Sequence, residues 1–198
     1  MGELQQDADL ALGRRTGWPD DLRHLLARYP REIWPDHANL GDMARFWLAR
    51  HDMFRELTGS LLQATDALRE GTVPPDRFRQ WFAPRLNFLL GELQTHHMIE
   101  DRHYFPVFMR AESSLLLGFE VLEADHGTIH HGLENLAHSG RMLANAIDRQ
   151  TPMPAQATDG FADVCDGFLN ILLQHLGDEE DLIIPVILDR SEAGLGIG

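Results

Sequence analysis

The sequence predicts an all-α protein, an up-and-down four-helix bundle with a short N-terminal helical extension, and three observations carry that expectation. Apolar residues recur at helical spacing in long stretches separated by Gly- and Pro-containing turns. Hydrophobic residues make up 43% of the chain but aromatics only 8%, and Leu, Ala, Arg and Glu dominate over β-branched runs, a balance that favours helices. The third observation is a repeat. Residues 96–106 read HHMIEDRHYFP and residues 175–185 read HLGDEEDLIIP, so the pattern His, three residues, Glu, an acid, four residues, Pro occurs twice at an offset of 79.

Taken in order, residues 1–36 form an N-terminal extension of mixed composition, with one amphipathic piece, DDLRHLLARY, followed by Pro30 and Pro35. Its apolar stripe of Leu22, Leu25, Leu26 and Tyr29 is expected to pack over one end of the bundle and limit access to it. Residues 37–190 make the bundle, with helices at about 38–70, 76–109, 115–150 and 155–188. The turns GTVPP, AESS and TPMP separate them. Pro84 predicts a kink or a start within the second helix, while Pro106 and Pro185 mark a bend or end in the second and fourth. Residues 191–198 read as a flexible tail.

The formal charge is −14 and all seventeen basic residues are Arg, so nucleic acid and anionic membranes would be repelled rather than gathered. No run approaches the roughly 18 apolar residues of a membrane span. Cys165 is the single cysteine and cannot form an internal disulfide, and the opening residues lack a long apolar leader, so a cytoplasmic location is the expectation. A homo-oligomer is compatible with this composition.

The repeat extends beyond the two motifs. His51 falls on His130 at the same offset, and the histidines within each half, 51 with 96 and 130 with 175, are both 45 positions apart. Two residues of an antiparallel helix pair share a height when the turn lies midway between them. The midpoints 73.5, 113 and 152.5 fall in the three turns, which predicts one level carrying His51, His96, His130 and His175. Residues four apart in a helix differ by about 40° in azimuth and about 6 Å in height. His96 with Glu100, His175 with Glu179, and His126 with His130 have this spacing, whereas position 47, the counterpart of His126, is Trp47. Five imidazoles and two carboxylates are too many ligands for one ion and suit two, drawn from iron, manganese, zinc or copper.

On these residues the chain resembles the hemerythrin-like, or HHE cation-binding, proteins over about residues 40–188. The resemblance implies two non-haem Fe ions, with Mn or Zn as substitutes, held by His51, His96, Glu100, His126, His130, His175 and Glu179. It further implies that Glu100 and Glu179 bridge, that His126, His130 and His175 fill one ion, and that His51 and His96 leave the other open for a small ligand such as O2 or NO. The oxygen carriers of this family place the last carboxylate five residues after its histidine, which would select Glu180; the internal repeat selects Glu179. With no substrate-processing motif beyond the di-metal site, a non-enzymatic binding or sensing role is expected. Other HHE proteins are associated with iron sensing, nitric oxide responses or iron–sulfur repair. Two alternatives remain open: a carboxylate-rich di-iron oxidase or iron-handling protein, signalled by EDRH at 100–103 and EADH at 123–126, and a metal-stabilised interaction module.

The other histidines read differently. His24, His37 and His138 are expected at the surface or satisfied in the core, and His97, His103 and His131 at the surface or supporting a ligand by hydrogen bonds. The acid runs DEED (178–181) and DD (20–21) read as solvated apart from Glu179. Trp47, Phe54, Leu57, Leu89, Leu93, Leu133, Leu136 and Leu172 are expected to pack the core.

Overall fold

The computed structural model describes residues 10–149 and 155–197, and it is all-α, with no strand among the described residues. A short helix α1 (His24–Arg28) and a 3-10 turn (Arg31–Asp36) precede the first long helix, α2 (Asp42–Arg69). Helix α3 (Pro75–Ile99) runs into a π-helical turn (Glu100–Tyr104) and then α4 (Phe105–Ala111). After a 3-10 turn (Ser113–Leu115) come α5 (Leu116–Asp148), α6 (Ala155–Arg190) and the single-turn α7 (Glu192–Leu195). The predicted helices therefore hold to within a few residues, and the turn TPMP lies outside the described residues. No described helix is long and apolar enough to cross a membrane.

Local chemistry explains the boundaries. Helix α2 stops at Gly71, whose φ of +68° suits glycine, while Gly71 N–H bonds to Leu68 O at 3.1 Å and Thr72 N–H to Ala67 O at 3.0 Å. These two hydrogen bonds close the helix end, and Pro75 opens α3 at a first-turn position where a backbone N–H would have no helical partner. Pro84 and Pro185 are absorbed within continuous helices.

The tail differs from the expectation. Residues 192–195 are a helical turn whose Glu192 Oε1 accepts the Ala44 N–H at 2.8 Å, satisfying a donor that the start of α2 would otherwise leave unpaired. A methyl group on Gly41 would land on that carboxylate.

The chain forms two compact units. The first comprises residues up to 52, 96–127 and 174 onward; the second comprises 53–95 and 128–173. In the first, Leu10, Trp18, Leu22, Leu25 and Trp34 of the extension join a buried cluster with Trp47, Phe105, Phe108, Phe119 and residues 182–188 of α6. The extension lies along α6. Gln174 Nε2 donates to Arg15 O at 2.9 Å, Trp18 Nε1 to Asp178 O at 2.8 Å, Tyr29 Oη to Asp189 at 2.9 Å, and Asn39 Nδ2 to Leu188 O at 2.7 Å. Full burial of each large apolar side chain contributes roughly 1.5–3 kcal/mol, so the segment is a packed part of this unit. In the second unit, Phe78 stacks on Phe82 at 4.6 Å and both meet Phe161 edge-on. Of the predicted core residues, all are buried except Leu57, which is half-buried.

Candidate metal centre

Four helices of the first unit aim polar side chains inward. Helix α2 contributes Trp47 and His51, α3 with its π turn contributes His96, His97 and Glu100, α5 contributes Asp125 and His126, and α6 contributes His175, Glu179 and Glu180. At 100° per residue, Glu100 lies about 40° from His96 on one side and about 60° from His97 on the other, so one helix face presents all three. The π turn begins at Glu100, just before Pro106, whose missing N–H cannot extend the regular ladder.

The donor atoms fall into two groups, each with its atoms within 4.8 Å of one another: His51, His96, Glu100 and Glu179 in one, His97, His126 and His175 in the other. The carboxylates face both. Glu100 Oε1 is 2.7 Å from His96 Nε2 while its Oε2 is 3.7 Å from His126 Nε2. Glu179 Oε2 is 3.3 Å from His175 Nε2 and 3.8 Å from His51 Nε2. Acids therefore sit between two sets of imidazoles.

Outer carboxylates fix how those imidazoles point. His51 Nδ1–H donates to Glu180 at 3.0 Å and His126 Nδ1–H to Asp101 at 2.7 Å, and His175 Nδ1 faces Asp125 at 3.4 Å. A proton held on Nδ1 leaves a lone pair on Nε2, the arrangement found in metal-binding histidines; in His126 and His175 that lone pair turns inward, and in His51 it accepts the Trp47 N–H. The rings also pack on one another: His97 stacks on His126 with centroids 3.9 Å apart and planes 7° apart. Trp47 stands over the first group, its Nε1–H 3.0 Å from His51 Nε2.

Electrostatics in this dry cluster are strongly perturbed. Burial pushes the His96 imidazole down to about 3. Burial, reinforced by the neighbouring Glu179 carboxylate, raises Glu100 well above the usual carboxylate range. For His175 burial acts downward, but the close carboxylates of Asp125 and Glu179 outweigh it and hold the ring at about 9. Glu179 goes the other way, held low against burial by His175, His51 and His96.

The fit to cations can be tested on these atoms. All four oxygens of Glu100 and Glu179, with Nε2 of His126 and His175, are buried without a well-formed hydrogen bond among the described residues; the short approaches between them are not aligned as hydrogen bonds. Each such atom costs about 1–3 kcal/mol unless something accepts its lone pair. Divalent cations would do so, and a nitrogen and oxygen set without thiolate suits iron, manganese or zinc.

Six of the seven predicted residues are brought together: His51, His96, Glu100, His126, His175 and Glu179. The seventh is not. His130 lies half-buried in the second unit and belongs to neither group. His97 completes the three-imidazole group instead. The HHxxE spacing of α3, with neighbours three and four residues before one Glu, was the available signal. Glu179 joins the cluster and Glu180 backs His51. The DEED run is not a solvated face: Asp178 pairs with buried Arg15 at 2.7 Å and Glu180 with Arg31 at 2.7 Å, both acids being drawn inward by guanidinium groups of the extension. His24, His103, His131 and His138 are exposed and His37 half-buried.

A family model described as hemerythrin HHE cation-binding domain matches residues 42–187. The chain belongs to the hemerythrin HHE cation-binding family. That match spans every residue of both donor groups. Among curated proteins, this HHE chain is 27% identical over 177 residues to a protein of Musicola paradisiaca named iron-sulfur cluster repair protein YtfE, covering 87% of the present chain and 76% of the relative. No solved structure gives a significant match. Family and geometry agree on cation binding by histidine and glutamate.

Proposed function

We propose that the protein is a non-haem di-iron protein that binds or senses a small ligand, O2 or NO, at an open position beside His51 and His96. The observation that carries this reading is the asymmetry of the two donor groups. Glu100 and Glu179 face both, but three imidazoles serve one and two serve the other, where Trp47 occupies the repeat position equivalent to His126. His97, His126 and His175 would hold one iron, His51 and His96 the other, with both carboxylates shared. Iron, when bound, supplies a coordination position and the electrons that small-ligand binding draws on. The protein's own part is to orient Nε2 atoms through Glu180, Asp101 and Asp125, to exclude bulk water, and to close one side of the two-imidazole position with the Trp47 indole, whose N–H donates to His51 Nε2.

The test is metal content by mass spectrometry, then the near-ultraviolet and visible spectrum of the reduced, iron-loaded protein on exposure to O2, NO or azide. Two irons per chain with a new absorption band support the reading. Two irons with an unchanged spectrum overturn it.

A second reading has an observation of its own: the curated relative is named for iron–sulfur cluster repair. On that reading the cytoplasmic protein would surrender iron to a damaged cluster, and chelator-accessible iron released on mixing with a cluster-depleted acceptor would mark it. The carboxylate-rich oxidase reading is disfavoured because Glu123 and His103, which its ExxH motifs require, are exposed.

A further inference from the structure

The extension supplies two guanidinium groups that the reading above does not use. Arg15 is 5% exposed. Its Nη1 donates to one oxygen of Asp125 at 3.0 Å, its Nη2 to the other oxygen, and its Nε to Asp178 at 2.7 Å. The Asp125 oxygen held by Nη2 is the one that faces His175 Nδ1. Further along the same segment, Arg31 Nη1 donates to Glu180 Oε2 at 2.7 Å and Nε to Asp181 at 2.7 Å, and the other Glu180 oxygen accepts from His51 Nδ1. Each arginine thus backs a carboxylate that backs a histidine. The two histidines lie in different donor groups.

Guanidinium suits this task because its planar fork can hold two oxygens at once, both oxygens of Asp125 for Arg15 and one each of Glu180 and Asp181 for Arg31. Without that fork, Asp125 at 3% exposure would be a buried anion with its strongest partner gone, free to rotate away from His175. The segment has other anchors, Trp18 on Asp178 O, Arg28 and Tyr29 on Asp189, and Asn39 on Leu188 O, so its docking does not hang on the two relays.

We propose that the segment from Arg15 to Arg31 is a strap that positions both metal sites, Arg15 acting through Asp125 on the His175 site and Arg31 acting through Glu180 on the His51 site. Both are positioning residues. The inference rests on the two-metal reading. Linkage makes it reciprocal: cations that gain from a docked strap must also hold the strap down.

Equilibrium titration of the full metal-free chain with Mn(II) against a competing chelator tests the strap. Losing the carboxylate that directly backs a metal ligand costs about 10–100-fold in affinity, and the arginines act one step further out, so about tenfold, the lower end, is expected of them. Arg31→Gln and Arg15→Gln are each expected to weaken one of two Mn(II) sites by about tenfold and spare the other. Arg31→Lys keeps the charge without the fork and recovers part of the loss. Arg28→Gln, which removes a strap contact unrelated to either relay, leaves both affinities unchanged. Mn(II) is further expected to slow hydrogen exchange across residues 15–31 in the wild type and to do so less in Arg31→Gln. Arg31 is partly exposed, so that variant decides the matter if Arg15→Gln fails to fold. Two Mn(II) ions bound with wild-type affinity in Arg31→Gln overturn the strap alone, as does an equal loss in Arg28→Gln. A wild type that binds no divalent cation overturns the strap and the metal reading together.

Discussion

Raising the pH from 7 to 8 is expected to tighten the hold of the metal-free protein on a divalent cation at least tenfold, because His175 must lose a proton before it can act as a ligand. Its imidazole sits at about 9, held there against burial by Asp125 and Glu179. At pH 7 it is then about 99% protonated, and expelling that proton costs about 2.7 kcal/mol. Glu100 is raised as well, by burial and by Glu179, so the dependence should be steeper than one proton. Calorimetric titration with Mn(II) at pH 7 in two buffers of different ionisation heat measures the release directly. One proton or more per protein is expected, and Asp125→Asn, which removes the largest raising influence on His175, should reduce it. Identical apparent heats in the two buffers would refute the reasoning. The same shift acts oppositely on the metal-free fold. A raised folded value means that the charged His175 stabilises fully below about 6.5 and that this contribution is lost as the pH climbs through 9, an upper limit of about 3 kcal/mol. Metal-free protein should therefore melt lower at pH 9.5 than at pH 7, while loading with metal flattens that trend.

Three further outcomes follow from the geometry. His97→Ala should reduce Mn(II) stoichiometry from two to one at micromolar free metal, and His130→Ala should leave it at two; the opposite pattern, read by competitive titration, would restore the repeat-based assignment. Trp47→Phe keeps an aromatic ring but removes the N–H that donates to His51 Nε2 and competes for that lone pair, so Mn(II) affinity at the His51 site should rise about fivefold, the worth of one hydrogen bond, by competitive titration; a fall would refute this. Gly118→Ala places a methyl carbon 2.7 Å from Leu182 Cδ1 and should cost about 1–3 kcal/mol by urea denaturation; an unchanged midpoint would show that Leu182 can move aside.

The helices were legible because their signals are local: apolar spacing within each helix, Gly71 at a left-handed cap, and Pro75 at a first turn. Most of the donor set was legible for a related reason, since His96, Glu100, His175 and Glu179 lie four apart on single helices and the repeat ties the helices together. His97 escaped because the repeat aligns His96 with His175 and offers position 97 no counterpart: it falls on Leu176. The inward turn of Asp178 and Glu180 escaped for a different reason. Their partners, Arg15 and Arg31, are 163 and 149 residues away in sequence, and nothing short-range distinguishes a paired acid from a solvated one.

The π turn at Glu100–Tyr104 carries a last consequence. A residue accommodated there is swallowed by one widened loop of backbone, so the angular phase of everything before it need not match the phase of everything after. His96 and His97 can keep their inward bearing while Phe105 and Phe108 keep theirs toward the apolar interior. Mutational drift in that interior is thereby uncoupled from the aim of two donors on the same continuous rod.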